Sequence, residues 1–263
     1  MPDQGLARFA AAFAAAFLAG GINSIAGGGT VISFPVLMAL GLPPVVANAT
    51  STVGILPGSL GSIWGFREEL RAVPAFYRWL LAPALLGGAL GALLLRSTPA
   101  GVFERIVPWL ILFATLLFTV QAPLRARFQK KAGTPRARGA GSTALALGLQ
   151  CAVSVYGGYF GAGTGILMLS VFGLIGLTDM MEMTALGSLL SLAHNGIAAL
   201  IFILVGLVSW NYVLTMAAGS VLGGYFAARF AQRLGKDAVR RFVILVGVGI
   251  TAALFAHFFL ARR

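Results

Sequence analysis

The chain has 263 residues, of which 59% are hydrophobic and 10% charged, whereas soluble domains carry about 25% charged residues. So few charges cannot cover the apolar surface of a soluble fold of this size. The net charge of +12 comes from basic residues that flank apolar runs without interleaved aromatics, a pattern that sets membrane orientation and argues against nucleic-acid binding.

Long stretches of the chain contain no Asp, Glu, Lys or Arg. They are residues 9–66, 139–178 and 183–228, with lengths of 58, 40 and 46 residues. A membrane-spanning helix needs about 20 residues, so each stretch crosses the bilayer more than once. A transmembrane β-barrel would instead show roughly ten-residue segments of alternating polarity. We therefore predict an all-α polytopic membrane protein.

The predicted membrane segments follow the apolar runs. In chain order they are 6–26, 30–42, 45–66, 74–95, 102–121, 142–160, 164–177, 182–205, 209–231 and 242–260. Segments 30–42 and 164–177 are too short to span the bilayer comfortably. Each follows a glycine-rich turn, GGGT at 27–30 or GAGT at 161–164.

The two halves of the chain show an internal repeat. A shift of 134 residues aligns GGGT with GAGT, and a shift of 135 aligns Gly41-Leu42 with Gly176-Leu177. A shift of 136 aligns Gly87-Gly88 with Gly223-Gly224. We predict two membrane repeats of about five segments each, at 1–121 and 142–263, joined by a basic linker at 122–141. An odd number of crossings inverts the second copy, as in many secondary transporters.

The basic residues test this orientation independently. Loops 67–78, 125–138 and 229–241 hold 14 of the 19 Lys and Arg residues. The positive-inside rule therefore predicts that the linker is cytoplasmic and that both termini lie outside. The first two segments of each repeat form two full spans or a re-entrant pair, and either leaves this orientation unchanged.

The two glycine turns are candidate binding sites. Irregular backbone at membrane depth is tolerated only beside protein or a water-filled cavity. Glycines leave amide groups unshielded, and a helix N-terminus favours an anion. A single glycine cluster would indicate close helix packing, but two at matching positions favour a transporter site. The candidates are Gly27, Gly28, Gly29 and Thr30 in the first turn, and Gly161, Gly163 and Thr164 in the second.

Other polar residues lie near these turns. Asn23 precedes the first turn, and Asn48, Ser51 and Thr52 open the third segment. These side chains could line a hydrophilic path for a substrate. Alternatively, each hydroxyl bonds a carbonyl of its own helix and needs no function. The two asparagines are stronger candidates, because a carboxamide in hydrocarbon must find hydrogen-bond partners.

His194 and Asn195 lie within the uncharged run 183–228. An ionisable residue inside the membrane is a functional candidate by default, and histidine changes charge near neutral pH. His194 is therefore the candidate for proton coupling. A neutral histidine hydrogen-bonded between helices is the alternative, and both interpretations stay open.

Several enzyme signatures are absent from the sequence. It contains no GxxxxGK[ST] motif, no HExxH motif, no GxSxG motif and no acidic pair deep in an apolar segment. We therefore predict a protein that is not an enzyme, has no catalytic residues and requires no cofactor or metal.

The segment GGINSIAGGGTVISFPVLMALGLPPVVANATST at 20–52 combines a glycine turn, a short proline-containing helix and an Ala-Asn-Ala-Thr start to the next helix. A degenerate copy follows in GYFGAGTGILMLSVFGLIGLTDM at 158–180 and TALGSLLSLAHN at 184–195. In these motifs the chain resembles the TauE/SafE sulfite exporter family.

The resemblance implies a multi-pass transporter of the plasma (inner) membrane that exports sulfite, organosulfonates such as sulfoacetate, or other small organic anions. It implies a substrate region at turns 27–29 and 161–163 with Asn23, Thr30, Asn48 and Thr164. In the second copy Thr184 stands where the first has Asn48, which argues against a symmetric site.

We predict export by alternating access, coupled to protons or to the membrane potential. A passive anion channel and a carrier of other small organic anions stay open as alternatives. The expected partners are the anionic substrate and the lipid bilayer, and assembly as a homodimer also stays open.

Overall fold

The computed structural model describes residues 2–25, 27–130, 140–177, 179–234, 241 and 244–252. These residues are almost entirely helical and form no β-strand, which confirms the predicted all-α class. The α-helices of this part of the chain are α1 (Pro2–Ile25), α2 (Thr30–Ala39), α3 (Pro44–Gly65), α4 (Arg67–Ala72), α5 (Leu81–Ser97), α6 (Ala100–Lys130), α7 (Ala140–Tyr159), α8 (Thr164–Leu174), α9 (Met180–Leu204) and α10 (Trp210–Leu234).

Four helical spans in the described ranges are long and apolar enough to cross a bilayer: Gly5–Asn23, Tyr77–Ser97, Ala100–Val120 and Met181–Leu204. By contrast, α2 and α8 have 10 and 11 residues. At 1.5 Å per residue each measures about 15 Å, half of the hydrocarbon thickness. Both short helices therefore begin inside the protein, at the glycine turns.

Some predicted boundaries shift in the structure. A 3-10 turn at Ala75–Leu80 precedes α5, where the sequence predicts one continuous segment at 74–95. The predicted linker 122–141 is helical at both ends, because α6 continues to Lys130 and α7 begins at Ala140. Residues 131–139 of this linker lie outside the described residues. The predicted tenth segment is helical at 244–252, and the rest of it is likewise not described.

Helix α1 runs parallel to α10. The ring of Phe9 lies 5.6 Å from that of Tyr212, and the ring of Phe17 lies 6.2 Å from that of Phe226. Residues late in α1 therefore contact residues late in α10. Close approach requires glycine, because a β-carbon at Gly223 would overlap the backbone carbonyl of Phe17.

Helices α5 and α7 form a second parallel pair. A β-carbon at Gly87 would approach the Cys151 carbonyl at 2.5 Å, and one at Gly91 would overlap the Val155 carbonyl. Small residues again let the two backbones meet. Under the predicted repeat, α1 corresponds to α7 and α10 to α5, so the two parallel pairs are equivalent.

The ends of α2 and α8 share one backbone motif. The amide of Leu42 donates to the Leu37 carbonyl at 3.2 Å, and that of Leu177 donates to the Phe172 carbonyl at 3.0 Å. In both motifs a glycine with positive φ, Gly41 or Gly176, closes the helix. These glycines are the pair that the shift of 135 residues aligns.

Candidate functional site

The two glycine turns contact each other in the interior. A β-carbon at Gly27 would lie 3.5 Å from the Cα of Gly165, and one at Gly28 would lie 3.0 Å from the Gly163 nitrogen. The starts of α2 and α8 therefore meet, although they are far apart in sequence. Gly27 and Gly28 have positive φ, which a side chain would disfavour.

Asn23 uses its side chain to hold the first turn. Its Oδ1 accepts hydrogen bonds from the amides of Gly28, at 2.8 Å, and Gly29, at 2.7 Å. The sequence predicts these amides as donors to an anion, and in the structure both donate to Asn23. Asn23 satisfies both amides because the end of α1 folds back against the turn.

The second turn has no such side-chain cap. The Gly161 amide donates to the Tyr156 carbonyl at 3.2 Å, and Gly161 and Gly163 have positive φ. The amides from 162 to 165 make no hydrogen bond within the described part of the chain. Free amides at a helix start form an anion site. The amides of the two turns that are free to bind a ligand therefore lie at the start of α8.

Two polar side chains from different halves approach the second turn. A β-carbon at Gly161 would lie 3.5 Å from Oδ1 of Asn195 and 3.8 Å from Oγ1 of Thr30. Thr30 is 5% exposed. Asn195 is half-buried. Thr164 belongs to the turn itself, where its hydroxyl donates to the Gly161 carbonyl at 3.2 Å.

The remaining candidates on α3 make structural contacts. Asn48 is buried and donates from Nδ2 to the carbonyl of Tyr159 at 2.9 Å, while its Oδ1 has no partner in the described structure. The hydroxyls of Ser51 and Ser33 lie 2.6 Å apart and join α3 to α2. The Thr52 hydroxyl donates to the Asn48 carbonyl of its own helix at 3.0 Å, which is the contact expected of a helix hydroxyl that has no functional role.

His194 lies against the backbone of α7. A β-carbon at Gly157 would lie 2.5 Å from both Cδ2 and Nε2 of the fully buried ring. Neither ring nitrogen makes a hydrogen bond of good geometry to a described residue, although the backbone carbonyl of Leu190, one turn earlier in α9, interacts with the ring. At the repeat shift of 134 residues, Gly157 matches Asn23. The first half of the chain therefore has the capping side chain of Asn23 at this repeat position. The second half has Gly157 there, and the ring of His194 packs beside it.

An aromatic cluster adjoins the turns, and sequence reasoning missed it. The ring of Phe34 in α2 makes edge contacts with Phe160, at 5.5 Å, and Phe103, at 6.2 Å. Phe118 packs over Gly28, where a β-carbon would lie 2.5 Å from its ring. The sequence contains 19 phenylalanines, and no local pattern separates these from lipid-facing ones. All four side chains are almost completely buried and form an apolar wall beside the turns.

The site therefore combines free amides, a threonine hydroxyl and a carboxamide. The segments that form the turns add no charged side chain, because residues 9–66 and 139–178 contain no Asp, Glu, Lys or Arg. Such a set can hold a small anion by hydrogen bonds. Within the described residues, no group of three or more His, Cys, Asp or Glu residues is placed to hold a metal ion.

Comparisons with known proteins give a consistent result. Residues 12–254 match the family model described as "Sulfite exporter TauE/SafE". A protein of Haemophilus influenzae named "Probable membrane transporter protein" is 31% identical over 256 residues, covering 96% of each chain. YfcA of Escherichia coli K12, with the same printed description, is 30% identical over 92% of this chain and 87% of its own.

A similar protein from Sinorhizobium sp, ORF9, is 29% identical over 97% of this chain and 95% of its own, and it too is named a membrane transporter. No solved structure matches the chain.

Proposed function

Because the chain belongs to the sulfite exporter TauE/SafE family and is a membrane transporter, we propose that it exports small sulfur-containing anions, such as sulfite or a small organosulfonate. We place the binding site at the start of α8. Thr30 and Asn195 would supply further hydrogen bonds to the bound anion.

The observation that carries this proposal is the set of unused donors at the second turn. Four consecutive amides, at 162–165, make no hydrogen bond in the described structure, and the hydroxyl of Thr30 lies beside Gly161 of the same turn. Leaving a buried donor unsatisfied costs about 1–3 kcal/mol. An anion would satisfy several of these donors at once, and the dipole of α8 would favour its charge.

A neutral site suits a transporter. Hydrogen bonds from neutral groups bind an anion more weakly than an ion pair with Arg or Lys does. Weak binding permits release on the other side of the membrane. The absence of charged residues from 9–66 and 139–178 is consistent with this requirement.

We further propose alternating access between two inverted repeats. The parallel pairs α1 with α10 and α5 with α7, and the shared ends of α2 and α8, support a two-fold relationship between the halves. The anion would bind where the two broken segments meet, as in other inverted-repeat transporters. The basic loops favour a cytoplasmic linker and external termini in the inner membrane.

Ligand-induced stabilisation of the purified protein tests the site. Sulfite should raise the Tm of the wild type, because a ligand that binds only the folded state stabilises it. The variant Thr30→Val should show a smaller increase. Thr115→Val is the matched control, since the buried Thr115 hydroxyl donates to the Ile111 carbonyl of its own helix at 2.8 Å. Equal responses of the two variants would exclude Thr30 from the site.

A further inference from the structure

A row of buried polar groups follows one face of α7. Gln150, Ser154 and Gly157 are spaced by four and three residues, which places them on the same side of α7, and Gly161 follows just after the helix ends at Tyr159. The side chains of Gln150 and Ser154 are completely buried, and Nε2 of Gln150 donates to Oγ of Ser154 at 3.0 Å. The face leads from the early part of α7 to the second glycine turn.

The next polar group on this face comes from a neighbouring helix. The His194 ring lies on the backbone of Gly157, one turn beyond Ser154. The main chain of His194 in turn approaches α5, where a β-carbon at Gly88 would lie 2.6 Å from the His194 carbonyl oxygen. Just beyond the end of α7, Gly161 faces Asn195. The row thus runs in the order Gln150, Ser154, His194, Asn195.

Three atoms of this row lack a partner in the described structure: Oε1 of Gln150, and Nδ1 and Nε2 of His194. Buried polar atoms in proteins are almost always hydrogen-bonded, and those without a protein partner commonly bind an internal water. Inside a membrane the penalty for a missing partner is larger still. Three such atoms along one face indicate partners that the chain itself does not supply.

We propose that Gln150, Ser154 and His194 line a water-filled proton path from the early part of α7 to the anion site. This inference rests on the proposed transport function and assigns roles to Gln150 and Ser154. A hydronium ion beside Ser154 gives its proton to one nitrogen of the neutral His194 ring, which becomes an imidazolium and leaves a neutral water behind. The other nitrogen then releases its proton to a water beside Asn195, which becomes the hydronium ion, and the ring is neutral again.

No charged group interferes with this exchange. The other ionisable residues described on the helices around the ring are Arg96 on α5, Cys151, Tyr156 and Tyr159 on α7, and Glu182 on α9. None of these side chains hydrogen-bonds the ring. Arg96 and Glu182 are eight and twelve residues from the contact positions Gly88 and His194 along their own helices, which corresponds to about 12 and 18 Å.

Proton exchange at the ring can be measured directly. The chain has only two histidines, so a His257→Gln background leaves His194 as the sole imidazole signal. The protein, labelled with ¹⁵N-histidine, is placed in vesicles of phosphatidylethanolamine and phosphatidylglycerol and transferred to D₂O. Solid-state NMR then follows deuteration of the ring N–H.

We expect the ring N–H of His194 to exchange with D₂O in the His257→Gln protein. Adding Gln150→Leu should slow this exchange by about tenfold or more, because the leucine removes the polar groups on one side of the water path. Ser154→Ala is a smaller change that should act in the same direction if the leucine variant folds poorly. Ser188→Ala is the control, since the Ser188 hydroxyl donates to the Thr184 carbonyl of its own helix. A ring that does not exchange, or exchange unaffected by Gln150→Leu and Ser154→Ala, would overturn the proposal.

Transport measurements separate this proposal from the assignment of substrate. In proteoliposomes, Gln150→Leu should retain sulfite counterflow but lose acceleration by an imposed pH gradient. A Gln150→Leu protein whose sulfite flux still responds fully to the gradient would contradict the path. Absence of sulfite flux in the wild type would refute the substrate alone, because the exchange experiment contains no substrate.

Discussion

The side-chain amide of Asn48 in α3 donates a 2.9 Å hydrogen bond to the carbonyl of Tyr159 at the end of α7. The bond joins residues 111 positions apart and connects the first half of the chain to the turn that begins the proposed anion site. Asn48 therefore acts at this point as a tie between the two halves, whereas the sequence indicates a lining residue of a hydrophilic path.

Replacing Asn48 should destabilise the protein. Asn48→Leu leaves the Tyr159 carbonyl without its donor, and we expect the free energy of unfolding to fall by about 1–3 kcal/mol. Denaturant unfolding in detergent measures this loss. Asn211→Leu is the matched control, because Asn211 is exposed at the start of α10. Equal stability of the two variants would show that the Asn48 bond contributes nothing.

Replacing Asn23 by Asp adds a negative charge at the first turn but keeps the hydrogen bonds that the side chain accepts. Asn23→Asp preserves an acceptor for the Gly28 and Gly29 amides, and two such donors favour the ionised carboxylate. The Tm should stay close to that of the wild type. The sulfite Kd should rise by about tenfold or more, because a negative charge now lies near the anion.

Isothermal titration calorimetry measures the Kd of the Asn23→Asp protein. In Asn23→Leu, which has no acceptor, the Tm itself should fall. An unchanged sulfite Kd in a folded Asn23→Asp protein would mean that the anion does not bind near the turns.

Gly157 provides a test of His194 that leaves the ring chemically intact. A β-carbon at Gly157 would lie 2.5 Å from the ring, so Gly157→Ala must displace it. We expect a changed pH profile of sulfite flux in proteoliposomes. Gly148→Ala on the same helix meets nothing within 4 Å and should leave the profile unchanged. If both variants give the same pH profile of sulfite flux as the wild type, His194 has no role in proton coupling.

The parallel pair of α1 and α10 depends on glycine at the contact. Gly223→Ala places a methyl group against the Phe17 carbonyl, and overpacking of this kind costs about 1–3 kcal/mol. Gly101→Ala at the start of α6 has open space around it and serves as the control. Thermal unfolding in detergent should therefore give a lower Tm for Gly223→Ala alone, and an unchanged Tm would contradict the described helix contact.

The helices could be predicted from the sequence because the apolar runs and glycine turns are local signals. Both short helices begin as expected, at Thr30 and Thr164. The cap made by Asn23 could not be foreseen, since it depends on how α1 folds back on the turn. The approach of both Thr30 and Asn195 to Gly161 could not be foreseen either, because it depends on the tertiary contact between the two turns.

The aromatic cluster around Phe34 could not be predicted from the sequence either. Composition alone cannot distinguish Phe34, which is fully buried against Phe103 and Phe160, from Phe9, which is 40% exposed. In a membrane protein both inward and lipid-facing positions are apolar, so hydrophobicity carries little information about direction. Tertiary contacts alone make this distinction.

Sulfite flux into proteoliposomes of the purified protein is the decisive measurement of whether the protein is a sulfite transporter. Radiolabelled sulfite is supplied with and without an imposed pH gradient, with taurine and sulfate as competitors. We expect saturable sulfite flux that accumulates substrate when the gradient is present and that falls in Thr30→Val. Flux that never saturates and never accumulates would indicate a passive channel, and no sulfite flux in correctly reconstituted vesicles would contradict the proposed substrate.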